Sequence, residues 1–317
     1  TAFSGASGVT ILALGGLLYP LLTQAGYSQR FSLGLLTSSG SIGLLFPPSL
    51  AILLYAIVAQ VNVDQLFMAG IVPGLLLLLF FAAYGLWQGG RSRMARVPFS
   101  AKALVSALRV AAWDVLLPVG ISVGIFAGWV TVGESATCTA AYVLVLESVI
   151  HRNLNLRQQF VPLARDSAVL TGSILIILAM AMGLTNLLID AQLPMKMLAL
   201  LAETVDSQLS FLLLLNVFLL LVGAMMDIFS ATVLVVPLIL PLALRYGVDP
   251  LHLGMIFLAN LEIGYITPPV GINLFLAAQR FKKSVLQVFR SALPFLSLML
   301  LWLMLVTYVP LISLWWR

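Results

Sequence analysis

Two short segments could bind a cation inside a membrane, because each breaks an apolar run with two adjacent prolines. The segments are SIGLLFPPSL at residues 41–50 and EIGYITPPVG at residues 262–271. Proline lacks a backbone N–H and clashes with the preceding turn, so a helix is broken there. The freed carbonyl groups are costly in hydrocarbon unless they are buried in protein or line a polar cavity. Such carbonyls suit a hard cation such as Na⁺, and the next half-helix can face an anion with its N-terminus.

Small and hydroxyl-bearing residues accompany each break. Gly43 and Ser49 flank the first, and Gly264 and Thr267 flank the second. Glycine allows a neighbouring backbone to approach closely, and the hydroxyl groups add oxygen ligands. Soft transition metals would favour histidine or cysteine, which neither segment contains. A proline kink that neighbouring helices accommodate is the alternative, but two proline pairs at equivalent places favour a functional break.

Two polar stretches in apolar sequence predict hairpin tips that face these breaks: FSGASG at 3–8 and GAMMDIFSAT at 223–232. Asp227 is an ionisable residue in the second stretch, which makes it a functional candidate by default. An N-cap of the second hairpin arm is the other interpretation, and the two roles are compatible. Glu262 precedes the second break by about one turn. It either organises the ion site or pairs with a basic residue.

The composition requires that membrane-spanning helices position these groups. Hydrophobic residues make up 62% of the 317 residues, charged residues 9%, and the mean hydropathy is +1.11. A soluble domain carries about 25% charged residues. The long apolar runs suit helices of about 20 residues rather than barrel strands, so we predict an all-α polytopic membrane protein. Cys138 is the only cysteine, which excludes an intrachain disulfide and a cysteine-rich metal site.

The apolar runs and the basic loops together predict a topology. The predicted spans are a hairpin-like pair before about residue 24, then 31–58, 67–88, 113–131, 137–150, 167–187, a re-entrant pair in 208–245, 251–279 and 292–313. The basic residues of the loops form four groups: Arg30; Arg91, Arg93, Arg96, Lys102 and Arg109; Arg152, Arg157 and Arg165; and Arg280, Lys282, Lys283 and Arg290. These four groups share one side only if the pair in 208–245 enters and leaves by the same face. That side is then cytoplasmic, which leaves the C-terminus outside. The segment 97–113 is either an interfacial amphipathic helix or an ordinary cytoplasmic loop helix.

The two break segments belong to an internal repeat. The offset that takes Gly43 to Gly264 also pairs Pro47-Pro48 with Pro268-Pro269, Pro20 with Pro241, Gly26 with Gly247 and Pro73 with Pro294. No gap is needed between Pro20 and Pro73. Matched prolines and glycines are informative because each dictates backbone geometry. With the predicted topology the two copies have opposite orientations. Inverted-topology repeats are common in secondary transporters.

Longer motifs resemble one known family along essentially the whole chain. FSGASG, LYPLLTQAGYSQRF, SIGLLFPPS and QLFMAGIVPGLLL, and then GAMMDIFSATVLVVPLILPLA, YGVDPLHLG and NLEIGYITPPVGINLF, look like its first-repeat and second-repeat motifs. WVTVGESATCTAAY resembles the segment between the repeats. The family is the large membrane subunit of tripartite ATP-independent periplasmic (TRAP) transporters. The chain is expected to lack the N-terminal part of such a subunit.

The resemblance implies a function and a set of site residues. It implies a Na⁺-driven importer of organic anions, usually carboxylates, in the bacterial or archaeal inner membrane. The partners would be a small membrane subunit and a periplasmic substrate-binding protein. One sodium site would involve Ser4, Gly5, Gly43, Phe46 and Ser49. The other would involve Gly223, Gly264, Thr267 and the carbonyl of Val270, with the substrate near Ser7, Ser49 and Asp227.

The family also implies an elevator, in which a transport domain moves against a scaffold. The predicted transport domain comprises residues 1–58 and 208–280, each a hairpin or hairpin arm with a broken helix. Residues 59–207 are predicted as scaffold and connecting helices, and 281–317 as a C-terminal scaffold helix.

Two departures from the family pattern bear on the site. Ala6 stands where a second consecutive serine is expected, so no side-chain ligand is predicted there. Val270 and Gly271 replace Ser49 and Leu50 of the first copy, so the two sites need not be chemically equal.

Two other classes of function are alternatives to transport. A channel would need a continuous polar path, whereas the polar residues gather at the hairpin tips. An intramembrane enzyme could use Ser7 with Asp227, but no histidine lies in the predicted membrane core, and we expect no enzymatic activity.

Overall fold

The computed structural model describes residues 7–47, 49–91, 100–152, 154–191, 205 and 207–317, and the regular elements in these ranges are helical. The helices are α1 (Ser7–Gln24), α2 (Gln29–Ser38), α3 (Leu50–Ala59), α4 (Val63–Arg91), α5 (Ala101–Val110), α6 (Ala112–Phe126), α7 (Val132–Val145), α8 (Leu156–Asp190), α9 (Gln208–Met225), α10 (Ile228–Arg245), α11 (Pro250–Gly264), α12 (Ile272–Phe281), α13 (Val285–Tyr308) and α14 (Pro310–Ser313). A 3₁₀ turn at Ile42–Leu45 follows α2, and a π-helical turn at Leu146–Ile150 follows α7.

Several helices have the length and apolarity needed to cross a membrane. Within the described ranges α4, α9, α10 and α13 do so alone, and two bent pairs bring the number to six. Apolar side chains on these helices point outward; Leu79 is 65% exposed and Leu221 62% exposed. An apolar outer surface is what a lipid environment favours. The prediction of an all-α polytopic membrane protein is therefore confirmed.

Both predicted broken helices are interrupted where the prolines stand. The first is divided into α2, the 3₁₀ turn and α3, with a bend of 45°. The second is divided into α11 and α12, separated by residues 265–271, and its Pro268–Pro269 peptide bond is cis. Ser28 caps α2 by accepting the Phe31 N–H. Asp249 caps α11 by accepting the Leu251 N–H at 2.8 Å.

Elements of the two predicted copies have matching bounds. The helices α1 and α10 have the same length, and their first residues are separated by the offset that relates Gly43 to Gly264. The caps at Ser28 and Asp249 share this offset. Beyond the breaks the offset between equivalent residues grows by one. Gln60 and Lys282, which both have a positive φ (53° and 51°), are related by this larger offset, and so are the first residues of α4 and α13. The second copy therefore holds one more residue at its break, and the ungapped pairing of Pro73 with Pro294 is displaced by one position.

The region 208–245 forms two helices that meet at residues 226–227. Each arm, α9 and α10, has 18 residues and is apolar enough to span a membrane alone. A helix of that length extends about 27 Å. The pair fits the predicted hairpin, and the prediction that it enters and leaves by one face remains a prediction.

The segment 97–113 contains α5, whose described side chains are exposed. Ser100 caps this helix by accepting the Ala103 N–H at 3.3 Å. The structure thus provides the helix that both interpretations of this segment require, and the choice between an interfacial helix and a loop helix stays a prediction.

The chain divides into two compact units. One comprises Thr1–Ala95 with Ala181–Arg317, and the other Arg96–Met180. In the first unit α1 packs against α12, and α10 packs against α3, so these two hairpin arms each contact the second half-helix of the other copy.

The helices α4 and α13 belong to the first unit. Trp302 of α13 donates from Nε1 to the Pro73 carbonyl of α4 at 2.9 Å. A buried amide network joins α9, α11 and α13: Asn260 donates to Asn216 Oδ1 at 2.7 Å, and Asn216 donates to Thr307 Oγ1 at 3.1 Å. The first unit thus contains residues on both sides of the predicted boundaries after 58 and 280, and the division into transport domain and scaffold stays a prediction.

Candidate functional site

The second hairpin tip lies against the second break, and two glycines make the approach possible. A Cβ atom on Gly264 would come within 2.5 Å of the Cα and carbonyl oxygen of Gly223. The backbone N–H of Val270 donates to the carbonyl of Ala224 at 3.1 Å. The structure thus brings together Gly223, Gly264 and Val270, three of the four residues predicted for the second sodium site.

Thr267, the fourth predicted residue, contributes oxygen atoms at the same break. Its hydroxyl donates to the Ile263 carbonyl at 2.9 Å, and its N–H donates to the Gly264 carbonyl at 3.0 Å. A hydroxyl carries one donor proton and two acceptor lone pairs. The bond to Ile263 uses the proton, so it uses neither lone pair of Oγ1. Thr267 is partly exposed. Its side chain can serve as an oxygen ligand without giving up its helical hydrogen bond.

Asp227 caps α10, which confirms the N-cap interpretation. Its Oδ1 accepts the N–H groups of Phe229 (2.9 Å) and Ser230 (3.0 Å), and its Oδ2 accepts the Ser230 hydroxyl at 2.6 Å. The Ile228 N–H donates to the Tyr265 hydroxyl at 3.1 Å. The first N–H groups of α10 are therefore engaged within the protein, and Asp227 fixes the tip beside the second break.

The first break contains three of the residues predicted for the first sodium site, Gly43, Phe46 and Ser49. Gly43 lies in the 3₁₀ turn, and its carbonyl accepts the Phe46 N–H at 3.2 Å. The Phe46 ring lies against α4, since a Cβ on Gly74 would meet that ring at 2.7 Å. Only the backbone of Phe46 is then available as a ligand. Ser49 is fully buried at the N-cap of α3, and its hydroxyl has no hydrogen-bond partner among the described residues.

The first hairpin tip is described only from Ser7 onward. The predicted ligands Ser4 and Gly5, and the departure at Ala6, lie outside the described residues.

Ser7 contacts a residue that was not predicted from the sequence, Asn273. The Ser7 hydroxyl donates to Asn273 Oδ1 at 2.8 Å, and both side chains are buried. Asn273 lies in the first turn of α12, where its N–H donates to the Tyr265 carbonyl at 3.0 Å. Its Nδ2 group has no hydrogen-bond partner in the described part of the chain. The available signal was an amide directly after the break, in GINLF.

Glu262 is completely buried in the last turn of α11. Neither carboxyl oxygen makes a hydrogen bond of normal geometry to a described residue, although the Ser41 side chain interacts with the carboxyl group. No described ion pair involves Glu262, so the predicted pairing with a basic residue is not observed there. Ser41 and Glu262 open the two break segments, so equivalent positions of the two copies meet.

Known membrane permeases resemble this chain along its length. The family model for the DctM component of the tripartite ATP-independent periplasmic transporter matches residues 1–312. The chain is similar to the isethionate TRAP transporter permease protein DctMQ of Oleidesulfovibrio alaskensis, with 34% identity over 313 residues, which are 98% of this chain and 49% of that protein.

Two further relatives carry other names. The C4-dicarboxylate TRAP transporter large permease protein DctM of Vibrio cholerae is 33% identical over 336 residues, 99% of this chain and 74% of that protein. The ectoine TRAP transporter large permease protein TeaC of Halomonas elongata is 30% identical over 320 residues, 100% of this chain and 74% of that protein. The chain thus spans about half the length of the isethionate permease.

Proposed function

Since the chain belongs to the family of DctM components of tripartite ATP-independent periplasmic transporters, we propose that it forms the transport path of a Na⁺-coupled importer of an organic anion. Membership of this family makes it a large permease subunit, and thus a multi-pass membrane protein of solute transport. The observation that supports the sodium proposal is the close approach of Gly223 and Gly264, which brings the backbone of a hairpin tip, including the Gly223 carbonyl oxygen, against a broken helix.

The second ion site would be held by Gly223, Gly264, Thr267 and the carbonyl of Val270. These residues fit a hard cation because they offer oxygen atoms only and lie where backbone carbonyls are released from a helix. The absence of side chains at the two glycines lets the tip approach the break. Bound Na⁺ would supply positive charge at this site, and the gradient of Na⁺ across the membrane would drive import.

The first ion site would involve Ser4, Gly5, Gly43, Phe46 and Ser49. The unpartnered hydroxyl of Ser49 supports this, because a buried hydroxyl without a hydrogen bond costs about 1–3 kcal/mol. A cation beside its oxygen would remove that cost. Phe46 would contribute through its backbone, since its ring lies against α4.

The substrate would lie near Ser7, Ser49 and Asp227, as predicted, and Asn273 joins this set. The Nδ2 group of Asn273 is a buried donor without a described partner, which suits a carboxylate oxygen. Asp227 is suited to positioning the tip, because both of its oxygens already accept hydrogen bonds and a carboxylate repels an anion. The relatives are named for isethionate, C4-dicarboxylates and ectoine, so a carboxylate substrate is our proposal for this chain.

We propose that the two copies form an inverted repeat and that transport follows an elevator mechanism. The contact of Ser41 with Glu262 supports the repeat, because equivalent positions meet only near the axis that relates two copies. The packing of α4 and α13 with the hairpins and broken helices favours a moving body larger than 1–58 and 208–280, namely the first compact unit. Residues 96–180 would then belong to the scaffold.

The proposed partners are a small membrane subunit and a periplasmic substrate-binding protein that delivers the anion. We place the chain in the inner membrane with its C-terminus in the periplasm, because that topology puts the basic loops in the cytoplasm.

Uptake by the full-length permease in proteoliposomes tests the function. The small subunit, the cognate binding protein and labelled substrate are included, and Na⁺ is present outside only. We expect accumulation that stops when choline replaces Na⁺ on both sides. Equal uptake in choline would contradict sodium coupling, and uptake without the binding protein would contradict the proposed delivery.

A further inference from the structure

A basic pocket lies between the N-terminal ends of α2 and α13. Its volume is about 270 Å³, and its polar lining consists of Gln29, Arg30, Lys283, Gln287, Arg290 and Ser291. All of these residues belong to the first compact unit, and none was predicted as a site residue. The pocket is separate from the hairpin tips and from both breaks.

The lining carries three positive charges and no carboxylate. Arg30 and Arg290 are exposed and Lys283 is half-buried. The ion pairs in the described part of the chain are His151 with Glu147 and Arg317 with Asp249, so these three cations are not paired there. Like charges gathered in one cavity raise its potential and attract an anion.

The neutral lining groups add hydrogen-bond donors to the pocket, and two serine caps occupy N–H groups at the adjoining helix ends. Ser28 accepts the Phe31 N–H and Ser284 accepts the Gln287 N–H, so serine caps already engage the first turns of α2 and α13. The side-chain amides of Gln29 and Gln287 offer further N–H groups beside the cations. An anion in this pocket would thus be bound by side chains, with the two helix ends adding positive potential.

The surroundings point to a lipid as the source of the anion. The helix α13 has the length and apolarity of a membrane span, and its N-terminal end would lie at the boundary of the hydrocarbon. Leu286 and Leu293 are exposed, and they lie four and three positions from Arg290, so they share its helix face. A phospholipid whose phosphate lies in the pocket could therefore place its acyl chains along α13. Basic pockets between membrane helices are known to hold anionic lipid headgroups.

We propose that this pocket binds the phosphate group of an anionic phospholipid through Arg30, Lys283 and Arg290. A lipid held there ties α2 of one copy to α13 of the other. Each cation near an anionic lipid strengthens binding about fivefold, so removing all three should weaken retention of that lipid about a hundredfold.

Native mass spectrometry of the full-length permease with its small subunit can measure this retention. The complex is exchanged into mild detergent with equal amounts of phosphatidylglycerol and phosphatidylcholine, and retained lipids are counted. The wild type should keep one phosphatidylglycerol that the triple variant Arg30→Gln, Lys283→Gln, Arg290→Gln loses. The matched control is Lys102→Gln, Arg109→Gln, Arg165→Gln, which removes three exposed charges outside the pocket and should keep that lipid.

Equal loss of the lipid in both triple variants would overturn the proposal, since general charge attraction would then explain binding. Inorganic phosphate separates the two sources of the anion. If millimolar phosphate stabilises the wild type but not the triple variant, while phosphatidylglycerol retention is equal in both, the pocket takes a free anion and the lipid assignment is wrong. The single variant Lys283→Gln, checked by gel filtration, should weaken retention about fivefold, which guards against misfolding of the triple variant.

Discussion

The contact between Gly223 and Gly264 makes replacement of Gly264 by alanine a sensitive test of the site. The added methyl group would meet the Cα, carbonyl carbon and carbonyl oxygen of Gly223, all of them backbone atoms that no rotamer change can move. The second hairpin tip would have to shift away from the break. Oxygen atoms of tip and break would then no longer face one ion.

The structure ranks three glycine replacements by their expected cost. Overpacking costs about 1–3 kcal/mol, and Gly264→Ala belongs at the upper end or above because only backbone surrounds it. Gly223→Ala should cost less, because its nearest backbone neighbours are Leu261 Cα at 2.9 Å and the Asn260 carbonyl at 3.2 Å. Gly172→Ala in α8 meets nothing within 4 Å and should gain up to about 1 kcal/mol of helix propensity.

Thermal unfolding of the full-length permease, measured with and without Na⁺, gives the readout. Each kcal/mol corresponds to about 2–4 °C in a domain of roughly 150–250 residues, so Gly264→Ala should lower Tm by several degrees. We expect Na⁺ to raise the Tm of the wild type and of Gly172→Ala, because a ligand that binds only the folded state stabilises it, and we expect Gly264→Ala to lose this increase. A Gly264→Ala variant with the Tm and the Na⁺ response of Gly172→Ala would refute the argument that close approach of tip and break builds the site.

Three further side chains are tested by single substitutions. Asp227→Asn keeps the Oδ1 acceptor but not the charge, so we expect impaired uptake with normal insertion, and normal uptake kinetics would leave Asp227 a capping role alone. Asp227→Ala, which removes the cap, should in addition destabilise the protein by about 1 kcal/mol. Asn273→Asp should raise the KM for an anionic substrate more than Asn273→Ala does, because it puts a negative charge where we propose a donor; equal KM values would remove Asn273 from the substrate site. Glu262→Gln should preserve Na⁺ activation of uptake, since no described basic group pairs with this carboxyl group; lost activation would show that its charge belongs to an ion site.

The breaks and hairpin boundaries could be predicted from the sequence because proline and glycine act locally. Pro268 and Pro269 end α11 whatever packs against this helix. A proline pair at the equivalent place in each copy revealed the repeat. The close approach predicted at Gly264 rested on the same logic, since only glycine permits a close backbone approach, whereas the role of Gly223 was implied by the family resemblance.

Contacts between distant parts of the chain could not be predicted in this way. Asn273 gains its importance from Ser7, which is 266 residues away, and a lone asparagine gives no sign of that partner. The membership of α4 and α13 in the first compact unit depends on packing, such as the bond from Trp302 to Pro73. The extra residue at the second break changes the offset between equivalent residues by one position. Apolar helices tolerate this change, and no motif in the sequence signals it.

The sodium activation curve of Thr267→Ala tests the central claim most directly. The matched control is Thr171→Ala, because the Thr171 hydroxyl makes the same bond to the carbonyl four residues earlier, at 2.9 Å, on the exposed surface of α8. Both variants lose one back-bonded hydroxyl, but only the first loses an oxygen atom at the break. In proteoliposomes, Thr267→Ala should require about tenfold more Na⁺ for half-maximal uptake, the loss of about 1.4 kcal/mol of ion binding, while Thr171→Ala follows the wild type. Superimposable curves for both variants and the wild type would contradict a sodium site at this break.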